Sequence, residues 1–112
     1  MDDARARELL ERERARIERE IATLERDVPL EASTRREPGD RDSEELYEDE
    51  LAEGRLAELR DQLASVGRAE ERLAAGTYGI SVETGAAIPD DRLEAHPTAE
   101  RTVEEEARIR RA

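Results

Sequence analysis

Two segments of this chain carry their large apolar residues at the spacing of a narrow helical stripe, and this pattern limits the fold more than any other feature. The first segment, Asp2 to about Arg26, contains neither Gly nor Pro. Its stripe residues are Leu10, Ile17, Ile21 and Leu24. Those of the second segment are Ala52, Leu56, Leu59, Leu63, Val66 and Leu73. Stripes this narrow fit against one neighbouring helix, so we expect two long helices packed together.

The composition excludes a thick globular core. Charged residues make up 45% of the chain and hydrophobic residues 36%, with two tyrosines as the only aromatic side chains. A net charge of -12 with few apolar residues is also typical of disordered chains, but the regular stripes argue against disorder. With 31 acidic residues against 19 arginines, the chain is poorly suited to bind a phosphate backbone. We therefore expect a protein partner with a basic surface and no sequence-specific nucleic-acid binding.

A turn-forming segment separates the two stripes. Residues 28–42 contain Pro29, Pro38 and Gly39, which favour a turn over a helix. Asp42 with Glu45 resembles a capping box, so the second helix is expected to start at Asp42 or Ser43 and to run to about Ala75. The predicted fold class is mainly α: a long antiparallel two-helix coiled-coil hairpin over residues 1–75, with its tip at about 28–42. A monomer is favoured, and a coiled coil between two chains stays open.

Residues 76–112 form the second predicted part of the chain, called here the C-terminal module. Tyr78, Ile80 and Val82 alternate before a turn at 83–85, which predicts a short β-hairpin. Thr102 with Glu105 predicts a capped terminal helix. A small apolar core is expected to hold the module. Its candidate members are Tyr78, Ile80, Val82, Ile88, Leu93, Val103 and Ile109.

The sequence offers little that would support catalysis or metal binding. There is no cysteine, so thiolate ligands are absent, and the single histidine, His96, has no recognisable catalytic or metal-ligand spacing. We expect no enzymatic activity, no cofactor and no metal. The first residues are acidic and lead into no apolar stretch, so no signal peptide or membrane segment is expected and the location is expected to be cytoplasmic.

The C-terminal module resembles the zinc-finger module of the DksA/TraR family of bacterial RNA polymerase regulators. The resemblance is carried by Gly76-Thr77-Tyr78-Gly79, Gly85, Ile88-Pro89, Arg92-Leu93-Glu94-Ala95, Pro97 and Ala99. In that family two CxxC pairs bind zinc. The matching positions here are Ser81, Thr84, Thr102 and Glu105, which makes the module a degenerate zinc finger expected to lack the metal.

The resemblance also implies a function. Members of the family insert a helical arm into the secondary channel of RNA polymerase and place acidic tip residues near its catalytic centre, which regulates transcription. The corresponding acids here are Glu37, Asp40, Asp42, Glu44 and Glu45. The family's tip motif is Asp-x-x-Asp-x-Ala, where this chain has Asp40-Arg41-Asp42-Ser43. The alternative is a coiled-coil structural or adaptor protein that binds another partner or itself.

Overall fold

A computed structural model of the chain describes residues 1–27 and 43–111. Its helices are α1 (Asp3–Asp27), α2 (Ser43–Ala75), α3 (Asp90–Ala95) and α4 (Val103–Arg111). The predicted mainly helical fold is confirmed, and α2 has the predicted bounds. The predicted tip at 28–42 and the capping residue Asp42 lie outside the described residues. In the described part of the chain, no helix is both long enough and apolar enough to cross a bilayer.

The chain divides into two compact units. The first unit comprises Met1–Arg14 and Ala64–Ala112, and the second comprises Ala15–Leu63. The first unit therefore combines the start of α1, the end of α2 and the C-terminal module. The domain division at residues 75 and 76, drawn from the sequence, stays a prediction.

In the first unit, the start of α1 and the end of α2 bury small and medium-sized apolar side chains. Leu10 and Val66 are fully buried, together with Ala6 and Ala69. Burying a side chain the size of leucine or valine stabilises the fold by about 1.5–3 kcal/mol. The Arg14 guanidinium also bridges to Glu70 with two hydrogen bonds of 3.2 and 2.5 Å. This pair joins the two helices at a half-buried position.

In the second unit the two helices run antiparallel, as predicted. Ile17 and Leu59 are fully buried in it. Arg16 donates a hydrogen bond to Gln62 at 3.3 Å, and Glu20 accepts two from Arg55 at 2.6 and 3.2 Å. Later residues of α1 thus meet earlier residues of α2. Four of the stripe positions identified in the sequence are buried, and the other six are partly buried.

The ends of the long helices are closed by local hydrogen bonds. Asp2 accepts a hydrogen bond from the Arg5 amide at 2.7 Å and so caps the start of α1. At the end of α2, Gly76 has a φ of 78°. The amides of Gly76 and Thr77 donate to the carbonyls of Leu73 and Arg72 at 3.2 and 2.8 Å, which is the Schellman pattern. The predicted helix stop at Gly76 is confirmed.

The β-hairpin predicted after Gly76 is wrong. Among the described residues, Ile80 and Ala87 form a single antiparallel bridge that does not extend into strands. The chain already turns at Ser81, because the Gly85 amide donates to the Ser81 carbonyl at 3.0 Å. The Val82 amide is then directed to the Glu100 carbonyl at 2.9 Å, so it has no strand partner across the turn.

The small core of the C-terminal module is only partly the one predicted. Ile88 and Leu93 are buried with Ala99, and Tyr78 and Met1 pack against them. The other predicted core residues are exposed: Ile80, Val82, Val103 and Ile109 are between 41% and 55% accessible. The alternation of Tyr78, Ile80 and Val82 did not predict which side chains are buried. Ser81, which lies between Ile80 and Val82, faces the interior instead and is 4% exposed. A polar cluster occupies the place expected for apolar side chains.

Candidate functional site

The four positions predicted to correspond to the zinc ligands of the DksA/TraR family come together around one carboxylate, that of Glu105. The Thr84 hydroxyl donates to Glu105 Oε2 at 2.6 Å, and the Ser81 hydroxyl donates to the same oxygen at 3.0 Å. The Thr102 amide donates to Glu105 Oε1 at 2.8 Å. Glu105 is 3% exposed, so this is a buried charge with three hydrogen-bond donors. We call these four residues the Glu105 cluster.

Ser81 and Thr84 are positioned by the turn that they help to close. The Ser81 hydroxyl oxygen accepts hydrogen bonds from the Glu83 and Thr84 amides at 3.1 and 3.3 Å. The Thr84 hydroxyl oxygen accepts one from the Ala86 amide at 3.2 Å. Short hydroxyl side chains often bind nearby amides in this way. Each hydroxyl therefore accepts from its own turn and donates its proton to Glu105.

Thr102 and Glu105 are positioned by the start of α4. The Glu105 amide donates to Thr102 Oγ1 at 3.2 Å, and the Thr102 amide donates back to the Glu105 carboxylate. This reciprocal pair is the capping box predicted from the sequence, which is confirmed. A glutamate in a capping box is commonly exposed. Here it also accepts hydrogen bonds from a second segment of the chain, which the capping-box pattern alone does not predict.

The hydrogen bonds hold Glu105 in its charged form. Donation from the Thr84 hydroxyl, followed by the Thr102 amide, lowers the pKa of Glu105 to about 2, although desolvation acts in the opposite direction. The positive end of the α4 dipole lies at the same place and also favours an anion. The cluster is therefore ionised throughout the neutral range.

The residues of the cluster do not fit a structural zinc ion. Such an ion takes four Cys or His ligands in a tetrahedron, whereas this site offers three hydroxyl groups and one carboxylate. The protons of Ser81 and Thr84 point at the carboxylate, and the Thr102 oxygen accepts an amide proton. In the described residues, no group of three or more His, Cys, Asp or Glu side chains is arranged to hold a metal ion.

The predicted tip acids fall largely outside the described part of the chain. Glu37, Asp40 and Asp42 lie outside the described residues, and Glu44 and Glu45 belong to the first turn of α2. Their role stays a prediction. The histidine considered for metal binding, His96, is exposed, and its amide ends α3 by donating to the Arg92 carbonyl at 2.7 Å.

Several long-range contacts that support the C-terminal module were not found from the sequence. Arg5 binds both carboxylate oxygens of Glu94, at 2.8 and 2.6 Å, and this lowers the pKa of Glu94. Arg92, two residues before Glu94, donates from its Nε to the Arg101 carbonyl at 3.0 Å. Arg68 binds Glu100 at 2.9 Å. Pairs so distant along the chain leave no periodic signal.

Tyr78 closes the remaining side of the apolar cluster. Its hydroxyl donates to the carbonyl of the buried Pro97 at 2.7 Å, and its half-buried ring packs against Ile88, Leu93 and Ala99. Partial burial raises the pKa of the Tyr78 hydroxyl, so the donor stays protonated in the neutral range.

The chain is similar in sequence to a curated protein and in structure to a solved one. No family model matches the chain. It is 40% identical over 65 residues to general stress protein 16O of Bacillus subtilis (strain 168), a match that covers 57% of this chain and 40% of that protein. The chain thus spans less than half the length of this curated relative.

A structural relative is transcription factor DksA2 from Pseudomonas aeruginosa. The two structures superpose with a TM-score of 0.81 at 27% sequence identity, over 97% of this chain and 83% of that one. The resemblance seen in residues 76–99 is thereby extended to both long helices. The chain has a DksA-like fold.

Proposed function

We propose that this protein is a transcription regulator that binds RNA polymerase. The observation that carries the proposal is the structural likeness to a protein described as a transcription factor, over nearly the whole of this chain. The likeness includes the two long helices as well as the module, so it covers the elements that a DksA-like regulator would need. The protein is proposed to act by binding, without catalysing a reaction.

The proposed mode of action uses the paired helices as an arm that enters the secondary channel of the polymerase. The residues between α1 and α2, together with the first turn of α2, would then act as its tip. The proposed effector groups are Glu37, Asp40, Asp42, Glu44 and Glu45. Carboxylates at such a tip suit arginine or lysine groups, or a bound Mg²⁺ ion, because both favour anionic oxygen. The net charge of -12 agrees with a basic partner surface.

A binding assay tests the first part of the proposal. Purified protein is added to bacterial RNA polymerase core enzyme at about 50 and 150 mM NaCl, where charge screening differs. We expect a stable complex that a known secondary-channel factor displaces. Absence of a complex at both salt concentrations would contradict polymerase binding, and a complex without competition would contradict the secondary channel.

A charge-matched pair of variants tests the tip. The double variant Asp40→Asn with Asp42→Asn removes two tip charges. The control, Glu53→Gln with Glu71→Gln, removes two charges from exposed positions on α2. We expect the tip variant to lose its effect on transcription in vitro while it still binds polymerase, and the control to behave like the parent. Equal effects of both variants would indicate that only net charge matters.

A coiled-coil adaptor that associates with itself is the second candidate. It is favoured by Tyr47 and Leu51, which lie one helical turn apart on α2 and are 63% and 55% exposed. Light scattering over a range of concentrations separates the candidates, since a dimer dissociates on dilution. If a dimer forms, the variant Tyr47→Ser with Leu51→Ser should abolish it. A monomer at all concentrations would exclude self-association.

A further inference from the structure

The Glu105 cluster joins two separate segments of the C-terminal module. One segment is the turn of residues 81–86, and the other is the start of α4. Glu105 belongs to the second segment and accepts hydrogen bonds from two side chains of the first, which are 24 and 21 residues away. In the family that the module resembles, these are the positions joined by zinc. In this chain the two segments are joined by hydrogen bonds between side chains.

The cluster is internally complete. Both carboxylate oxygens of Glu105 accept hydrogen bonds, and the hydroxyl oxygens of Ser81, Thr84 and Thr102 each accept at least one amide. A buried carboxylate without partners would be strongly destabilising, whereas a satisfied one can fix two segments in one arrangement. Other links lie close to this cluster in the sequence. These are the Val82 amide on Glu100 and the pairing of Arg101 with Glu83 at 3.5 Å.

We propose that Glu105, held by Ser81, Thr84 and Thr102, is a metal-independent cross-link that replaces a zinc ion in fixing the C-terminal module. The module then needs no zinc in order to fold, and the link between its two segments depends on the carboxylate of Glu105. The proposal concerns the structure of the module and does not depend on polymerase binding. Its tests use the full chain.

The first test compares two neighbouring glutamates. Glu105→Gln removes the anion from the cluster, and Glu104→Gln removes the same charge from an exposed position in the same helical turn. We expect Glu105→Gln to lower Tm by at least about 5 °C, the shift that loss of one net hydrogen bond produces in a chain of this size. We expect Glu104→Gln to leave Tm nearly unchanged. Equal Tm values for both variants would overturn the proposal.

Amide hydrogen exchange, measured on the same two variants, reports on the Glu105 cluster itself. The amides of Glu83, Thr84, Ala86 and Thr102 are bound by side chains of the cluster. We expect them to exchange faster in Glu105→Gln and at the parent rate in Glu104→Gln. If Glu105→Gln does not fold while Glu104→Gln does, the proposal is supported in a stronger form. Unchanged exchange in Glu105→Gln would overturn it.

Metal-binding experiments test directly whether the Glu105 cluster takes the place of a zinc ion. We expect the parent chain, refolded with or without zinc, to carry no zinc in native mass spectrometry and to melt at the same temperature with a chelator present. In the combined variant Ser81→Cys, Thr84→Cys, Thr102→Cys and Glu105→Cys, we expect one bound zinc ion and a Tm that falls on chelation. A stabilising zinc ion in the parent, or a four-cysteine variant that binds no zinc, would overturn the proposal.

Discussion

The Glu105 carboxylate shows how one residue can take on a structural task through its neighbours. It lies in the first turn of α4, where a glutamate is favoured by the helix dipole and by the amide of Thr102. What distinguishes it from an ordinary capping glutamate is the pair of hydroxyl groups contributed by Ser81 and Thr84. These bonds favour the ionised form in the folded state, and its stabilising effect therefore depends on pH.

The pH dependence can be predicted from the lowered pKa of Glu105. The folded state holds the proton less tightly than the unfolded chain, whose glutamates titrate near the ordinary value of 4.5. The stabilisation is therefore complete above about pH 4.5 and is lost as pH falls toward about 2. We expect the Tm difference between the parent and Glu105→Gln to shrink over that interval in thermal unfolding experiments. A difference independent of pH would contradict the prediction.

Tyr78 offers a second test at the level of one atom. Tyr78→Phe removes the hydroxyl that donates to Pro97 and leaves the Pro97 carbonyl without this partner. We expect a loss of about 1 kcal/mol in the free energy of unfolding, the usual net value of one hydrogen bond. Urea unfolding measures this loss. Tyr47→Phe is the matched control, since Tyr47 is 63% exposed, and an equal loss in both variants would contradict the assignment.

At the level of the elements, the ends of the helices are set by hydrogen bonds that only particular residues allow. Gly76 closes α2 at a φ of 78°, a conformation in which a side chain is strained. Gly54 lies inside α2 with no heavy atom within 4 Å of the place where a Cβ would stand. The backbone therefore requires glycine at position 76, directly after α2, but not at position 54 within it.

Substituting alanine at the two glycines should therefore have opposite effects. Gly76→Ala is expected to destabilise the chain by about 1–2 kcal/mol, because a left-handed conformation is costly for a residue with a side chain. Gly54→Ala is expected to stabilise it by about 0.5–1 kcal/mol, because alanine loses less backbone freedom in a helix. Chemical unfolding of both variants checks the prediction. A stabilising effect of Gly76→Ala would contradict the role of Gly76 as a cap.

The elements that the sequence predicted correctly are those set by local interactions. Both long helices follow from the spacing of their apolar residues, and the capping box of α4 follows from Thr102 and Glu105 alone. The β-hairpin was mispredicted because the pairing across the turn is limited to the single bridge of Ile80 with Ala87, and the Val82 amide binds Glu100 instead. The Glu105 cluster needed the approach of two distant segments, so a resemblance could point to its positions but not to its hydrogen bonds.

The first unit is assembled from both ends of the chain. Met1 packs on the apolar cluster of Ile88, Leu93 and Ala99, and Arg5 pairs with Glu94. Glu100 is bound by Arg68 of α2. The C-terminal module is therefore covered by residues that precede it in the sequence, and its small apolar cluster is incomplete without them.

A peptide of residues 76–112 should consequently fail to fold by itself. It lacks Met1, Arg5 and Arg68, and a core of this size is marginal without additional links. We expect a far-ultraviolet circular dichroism spectrum of a largely unfolded chain and no cooperative melting. The full chain, measured in the same buffer, serves as the control. A cooperative transition of the isolated peptide would show that the module is an independent domain.

The pairing of Arg5 with Glu94 also bears on how the protein is made. The two residues are 89 positions apart, and a ribosome that adds about 5–20 residues per second needs roughly 5–20 s to pass from one to the other. During that interval α1 has been synthesised, but the residues of the C-terminal module that contact its start have not. Nascent chains of this protein should accordingly be bound by chaperones that hold exposed apolar surface, and released only after Glu94 and the residues around it have been synthesised.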